Sequence, residues 1–471
     1  MVQKVNQLLN DKAWARRTAL VLIASMMFFG YMFVDVMSPI QALMESEKGW
    51  GPDTFGTYAA SEYIVNVLGF LIIAGVILDK MGVRFTGLLS ASMMFIGALI
   101  KFIGITDWFA TTAFSHWLDS WWVTLPASAK MACFGFMLFG CGCEMAGTTV
   151  SKAIAKWFKG KEMALAMGLE MAIARVGVFA IFSISPIIAS HFGTVVAPVA
   201  FCTVLLLIGL ITFTVFTFMD KALDKQLGDT EESGESEEEF KFSDLGKIFS
   251  SQVFWIVALL CVLYYSAIFP FQRYGANMLQ CNLDGISPED AANIFRWFPI
   301  GAAVITPFLG NFLDRKDKGA TMLIFGAMLL ICCHLVFAFV LPETKSALIA
   351  YSTIVLLGIS FALVPAALWP SVPKIIDEKI LGSAYCLIFW VQNIVLCFVP
   401  KLIGNLLAST NENNPAVIAA KNAGADFIPY DYTVPLIVFA SFGVLALLFA
   451  IYLKALDKKR GFGLEEPNIK K

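Results

Sequence analysis

Two ionisable side chains stand inside otherwise apolar stretches of this sequence, and both are of types that bind charged small molecules. Glu144 lies in Gly140-Cys-Gly-Cys-Glu-Met-Ala-Gly147 and Arg175 in Met171-Ala-Ile-Ala-Arg-Val-Gly177. A charge at the centre of a membrane-spanning helix costs about 2.5–3.5 kcal/mol on insertion scales, so each is a functional candidate. The polar turn between them, near Phe158 and Lys159, lies about 15 residues from either one. At roughly 1.5 Å of rise per residue, both reach a similar depth close to a bilayer midplane. An acid and a base there can divide a zwitterion, Glu144 taking an ammonium group and Arg175 offering its planar fork to a carboxylate. Such a site suits an amino acid or a short peptide. The other reading is that the two neutralise each other inside a helix bundle, because buried pairs also occur without function.

Other polar or aromatic residues in apolar stretches are candidates to line the same path: Tyr31, Asp35, Glu62, Asn66, Tyr264, Tyr265, Trp369, Gln392 and Asn393. For each, packing competes with ligand contact. Arg273 and Arg296 are expected near outer ends, reaching to water along their apolar stems. Glu170, five residues from Arg175, lies about 140° around a helix from it and is expected on another face. No nucleophile and base, metal-ligand spacing or phosphate loop marks an enzyme, and no cofactor or metal is expected. Cys141 and Cys143, two apart on a helix, point to different faces. The ten cysteines lie in apolar stretches, with Cys281 expected in a loop, so no disulfide framework is implied. His116, His191 and His334 are scattered.

The elements that position these residues are membrane helices. The chain is 58% hydrophobic and 15% charged over 471 residues. Its apolar runs are continuous rather than alternating, which excludes a β-barrel. The pattern predicts an all-α membrane protein with twelve spans at 18–39, 54–78, 85–105, 129–154, 163–189, 195–219, 251–277, 290–313, 319–341, 346–370, 380–408 and 431–454. Lys80, Arg84, Lys152, Lys156, Lys159, Lys161, Arg315, Lys316, Lys318 and the run Lys454 to Arg460 then fall on one side with both termini. By the positive-inside rule that side is cytoplasmic. A net charge of −2 gives no reason to expect nucleic acid as a partner. Lys4, Lys12, Arg16 and Arg17 lead directly into a full-length span, so no cleaved signal peptide is expected. The acidic stretch 227–239 reads as a solvated linker, dividing the chain into halves 1–220 and 251–471 around a linker segment 221–250. Trp108, Trp117, Trp121 and Trp122 are expected at the lipid interface.

The halves share a repeat. Gly75-Val-Ile-Leu-Asp79-Lys-Met-Gly82-Val-Arg84 follows the second span, and Gly310-Asn-Phe-Leu-Asp314-Arg-Lys-Asp-Lys-Gly319 follows the eighth. Both place Gly-x-x-x-Asp before basic residues, as internal duplication would. The glycine is expected to let two helices approach, and the aspartate to anchor a helix end and the loop arginine. This pattern resembles the signature loop of the major facilitator superfamily. The resemblance implies two pseudo-symmetric six-helix halves, with Gly75, Asp79, Gly82, Arg84, Gly310, Asp314 and Arg315 as cytoplasmic gate elements.

More specific segments point to one branch. Cys143-Glu-Met-Ala-Gly-Thr-Thr-Val150 and Trp157-Phe-Lys-Gly-Lys-Glu-Met-Ala-Leu-Ala-Met-Gly-Leu-Glu-Met-Ala-Ile-Ala-Arg175 are similar to the lysosomal dipeptide transporter branch of that superfamily. So are Phe269-Pro-Phe271, Ala367-Leu-Trp-Pro370, Leu381-Gly-Ser-Ala-Tyr385 and Gln392-Asn393. The resemblance implies alternating-access transport of dipeptides, with Glu144 and Arg175 holding the amino and carboxyl ends. No Asn-x-Ser/Thr acceptor occurs, and the N-terminus lacks an acidic dileucine sorting motif. A bacterial inner-membrane relative is therefore expected, monomeric, with a small-molecule substrate and the bilayer as partners and without the branch's accessory glycoprotein. Transport of an organic anion, with Arg175 as clamp and Glu144 as proton-coupling group, is the alternative.

Overall fold

The structure is a computed structural model and describes residues 8–158, 161–228, 246, 248–316, 318–376 and 381–466. Its principal helices are α1 (Ala13–Asp35), α2 (Pro52–Val65), α3 (Leu71–Gly104), α4 (Ala127–Phe158), α5 (Met163–Phe192), α6 (Val196–Gly228), α7 (Gln252–Asn282), α8 (Trp297–Lys316), α9 (Gly319–Leu335), α10 (Ala347–Ile375), α11 (Leu381–Thr410) and α12 (Thr433–Arg460). There is no strand among the described residues. Most helices outrun the apolar segments that announce them, because a helix continues into the polar interface while hydropathy marks only its lipid-buried part.

Ten helical stretches among the described residues are long and apolar enough to cross a membrane. One of them, Pro52–Gly104, has 53 residues, about 80 Å of helix at the usual rise and far more than one bilayer. It breaks at Gly82, where φ is 74° and ψ 173°, a backbone region that glycine enters without steric cost. The 20-residue α8 is not among these ten stretches.

Small residues decide which helices touch. A Cβ on Gly97 of α3 would lie 2.5 Å from the Gly135 carbonyl oxygen of α4, and one on Gly135 would lie 2.5 Å from that of Gly97. The two backbones therefore meet face to face, the close approach that glycine permits in membrane helices. Gly177 of α5 lies against the Phe28 carbonyl of α1, 2.7 Å from where its Cβ would be. In the same region Lys101 is fully buried. Its ammonium sits 4.1 Å from the Phe33 ring centre and 4.9 Å from that of Phe136, a cation–π arrangement whose energy rises when water is excluded.

The chain forms two compact units. One comprises residues 1–36, 61–181 and 196–237; the other comprises 37–60, 182–195 and 238–471. Short helices Asp107–Ala110 and Ala113–Asp119 cap the first unit, with Trp121 packed on Phe109, Leu118 and Ala127. Trp108, Trp117 and Trp122 are exposed there, as interfacial tryptophans are. Of the 227–239 linker, residues 229–239 lie outside the described residues.

Candidate functional site

Glu144 stands near the middle of α4 and Arg175 near the middle of α5, both partly buried. Tyr31 of α1 lies within electrostatic reach of Arg175, Cys143, Glu170 and Glu144. The close contact of Gly177 with Phe28 brings α1 to α5 one turn from these side chains. Glu170 lies within electrostatic reach of the same tyrosine as Arg175. On the other side of Glu144, a Cβ at Gly140 would strike the Glu62 carbonyl, so α2 presses directly on α4. Asn66 donates to the Gly140 carbonyl at 3.4 Å, and Glu62 lies within electrostatic reach of Glu144. Asp35 is buried one turn beyond Tyr31. Glu144 itself makes no hydrogen bond or ion pair with another described residue. Glu144 of α4 and Glu170 and Arg175 of α5 are thus all within electrostatic reach of the Tyr31 phenol of α1.

The candidates of the second unit divide differently. Tyr264 is fully buried and donates its hydroxyl to the Leu323 carbonyl. It fastens α7 to α9. Tyr265 stacks on Phe269, with ring centres 5.0 Å apart, and meets Phe361 edge-on. Trp369 stacks on Phe389 at 5.1 Å, with Tyr385 tilted beside it. Gln392 accepts from the Cys261 thiol at 3.7 Å, and Asn393 donates to the Phe389 carbonyl at 3.0 Å. Arg273 is only 6% exposed, so it does not reach water as expected. Arg296 donates to Ser183 at 2.9 Å. Cys281 belongs to the last turn of α7 rather than to a loop.

At the basic end of the first unit, the loop residues make a charge network that sequence reasoning only half anticipates. Asp79 pairs with Lys152 at 2.9 Å. Arg84 is held instead by Asp220, at 3.4 Å, and by Asp224. Asp220, 1% exposed, also accepts from Lys156 at 2.8 Å and from the Trp157 indole at 2.9 Å. Charge-assisted bonds of this kind are stronger than neutral ones. The missed signal is the four-residue spacing of Asp220 and Asp224 at the polar end of α6, which puts both on one face. A Cβ at Gly75 would meet nothing within 4 Å, so its expected role in helix approach is corrected; Gly82 matters through its positive φ. Of the second loop, Gly310, Asp314 and Arg315 lie on α8, but their side chains fall outside the described residues. In the second unit, Glu465 accepts from the Thr321 amide at 2.7 Å, and Lys374 donates to the Gly463 carbonyl at 2.9 Å.

At the opposite end, Tyr430 donates to Glu45. Burial and then the neighbouring Glu45 carboxylate push the Tyr430 phenol well above its ordinary range, which keeps it a donor. Glu47 accepts from Thr194 and from the Val195 amide, both at 2.7 Å.

A family model, Major Facilitator Superfamily, matches residues 20–400. The chain belongs to the major facilitator superfamily. It is a facilitator-type transporter and an integral membrane protein, and the family assignment accords with its helical spans. The lysosomal dipeptide transporter MFSD1 of Gallus gallus is 28% identical over 321 residues, 65% of this chain and 70% of that protein. The Danio rerio protein of the same name is 30% identical over 282 residues, 58% of this chain and 59% of the relative. Among solved structures, a mutant of the nucleoside transporter NupG superposes with a TM-score of 0.68 at 12% identity, covering 92% of this chain and 99% of that one. A bacterial homologue of the human lysosomal transporter Spinster, in an inward-facing and occupied conformation, superposes with 0.67 at 12% identity, covering 94% and 98%. These two likenesses establish the fold alone.

Proposed function

We propose that this facilitator moves dipeptides or similar small zwitterions by alternating access, with Glu144 taking the substrate's amino end and Arg175 its carboxyl end. The carrying observation is the grouping around Tyr31, where Glu144 remains without a hydrogen-bonding or ionic partner among the described residues. A carboxylate in an apolar helix without a protein partner is costly to keep and gains most from a ligand's ammonium. The similarity to proteins named as dipeptide transporters supports the same reading. Tyr31, Asp35 and Glu62 border the site in this reading, and Tyr264, Tyr265, Trp369, Gln392 and Asn393 are the substrate-binding candidates of the second unit. The loop from Gly75 to Arg84 and its counterpart at Gly310, Asp314 and Arg315 gate it from the cytoplasmic side, in a bacterial cell membrane with both termini inside.

Uptake of a neutral dipeptide into proteoliposomes, at matched protein content, tests the assignment. Glu144→Gln and Arg175→Lys each abolish most transport, the latter because lysine keeps the charge but loses the bidentate fork. The double change Glu144→Gln with Arg175→Gln stays inactive if the pair is a ligand site. Full transport by the double variant would show that the two residues only neutralise each other, and uptake confined to mono- or dicarboxylates would replace the zwitterion by an anion.

A further inference from the structure

The end of the second unit opposite the basic loops holds an open cavity of about 440 Å³, within the range of small-molecule sites. Its floor is rigid and built. Asn411, 1% exposed, donates to the Leu407 and Asp431 carbonyls at 2.9 Å each and accepts from the Asp431 amide at 2.8 Å. Val417 and Tyr430 complete the floor, both nearly fully buried. The rim carries Asp53, Glu412 and Lys421, with Asn405 and Ser409 between them. The Lys421 ammonium stands 5.5 Å from the centre of the Tyr430 ring. Glu45, held by the Tyr430 hydroxyl, lies within electrostatic reach of both Lys421 and Asp53.

We propose that this cavity is a second binding site for small zwitterions, taking an ammonium group on Asp53 and Glu412 and a carboxylate on Lys421. The inference rests on the dipeptide reading of the central site. Three carboxylates against one ammonium give the neighbourhood a net negative charge, which repels dianions and admits a molecule only if it brings a positive group. Lys421 is the one cation among the described rim residues, and Asn405 and Ser409 match the donors and acceptors of a peptide bond. Occupancy also bears on Tyr430, whose hydroxyl holds the segment Gln41–Lys48 of the same unit through Glu45. A ligand in this cavity therefore meets the same tyrosine that holds that segment.

The two sites separate in an equilibrium binding experiment on the purified full-length protein with a labelled neutral dipeptide. In the background Glu144→Gln with Arg175→Gln, a weaker site remains, and adding Lys421→Gln with Asp53→Asn weakens it at least tenfold. All three rim charges are on exposed side chains, so these changes leave the fold intact, which an unaltered melting temperature verifies. Acetylating the peptide's amino group produces a comparable loss at the remaining site. If the central double variant binds no dipeptide while the wild type does, the second site is refuted and the central reading stands. Residual binding that is indifferent to the rim changes refutes it as well. A wild type that binds no dipeptide at all overturns both.

Discussion

Replacing one hydrogen atom with a methyl group at Gly56 should pry α2 away from α11 within the second unit. A Cβ at this position of α2 would lie 2.6 Å from the Pro400 carbonyl oxygen of α11, 2.7 Å from the Tyr274 hydroxyl of α7 and 3.2 Å from the Gly404 Cα. Two of the three obstacles are backbone, which cannot rotate away, and the third is a phenol already bonded to Pro400 at 3.0 Å. Overpacking of this kind costs about 1–3 kcal/mol. A conformation in which α2 and α11 have separated does not bear that cost. Gly56→Ala should therefore shift the equilibrium toward conformations in which α2 and α11 have separated by about 5- to 140-fold, at about 1.4 kcal/mol per factor of ten. Cys281, half-buried in the last turn of α7, reports the change, because its sulfur lies against the Ile428 carbonyl at 3.8 Å and becomes more reachable when that end loosens. The measurement is the rate of alkylation by a membrane-impermeant maleimide, with the same rate in a Cys281→Ser control subtracted. A Gly56→Ala protein that labels at the wild-type rate and transports normally would show that α2 and α11 yield without cost, and the packing argument would fail.

Two further outcomes follow from the basic end of the first unit. Asp220→Asn keeps an acceptor for Trp157 but strips the carboxylate from Lys156 and Arg84. With both cations partly exposed, the loss should be about 1–3 kcal/mol, read as a lower melting temperature of the purified protein; an unchanged value would refute the network's role. Asp11 is held below its ordinary 3.8 chiefly by the hydrogen bond from Lys161. Glu162 is held below 4.5 by a backbone hydrogen bond and then by Arg16. Depressed carboxylates contribute stability that is present above their unfolded values and is lost as pH falls through the folded ones. Amide exchange around residues 8–12, corrected for intrinsic rates, should accelerate between about pH 6 and about pH 3, and equal protection across that interval would contradict these contacts.

Membrane insertion left the plainest marks in the chain. Twenty-residue apolar runs, punctuated by lysine and arginine, locate the helices because a continuous apolar run can satisfy its own backbone groups in the bilayer only as a helix. Depth was legible for the same reason: rise per residue alone places Glu144 and Arg175 near mid-helix. What a helix faces was harder to read. Cys281, expected in a loop, belongs to the last turn of α7. Tyr264 and Tyr265, adjacent in sequence, part company because one hydroxyl finds the Leu323 carbonyl while the other ring stacks on Phe269. Periodicity assigns a face but cannot say which neighbour occupies it. The partner of Arg84 was hidden for a related reason. The aspartate five residues before it looks like its natural anchor, yet the break at Gly82 turns the chain between them, and the arginine pairs with Asp220 and Asp224 on α6. A positive φ at one glycine thus redirects an ion pair by 136 residues. Local sequence names the groups that must be neutralised, and the backbone geometry decides by which element.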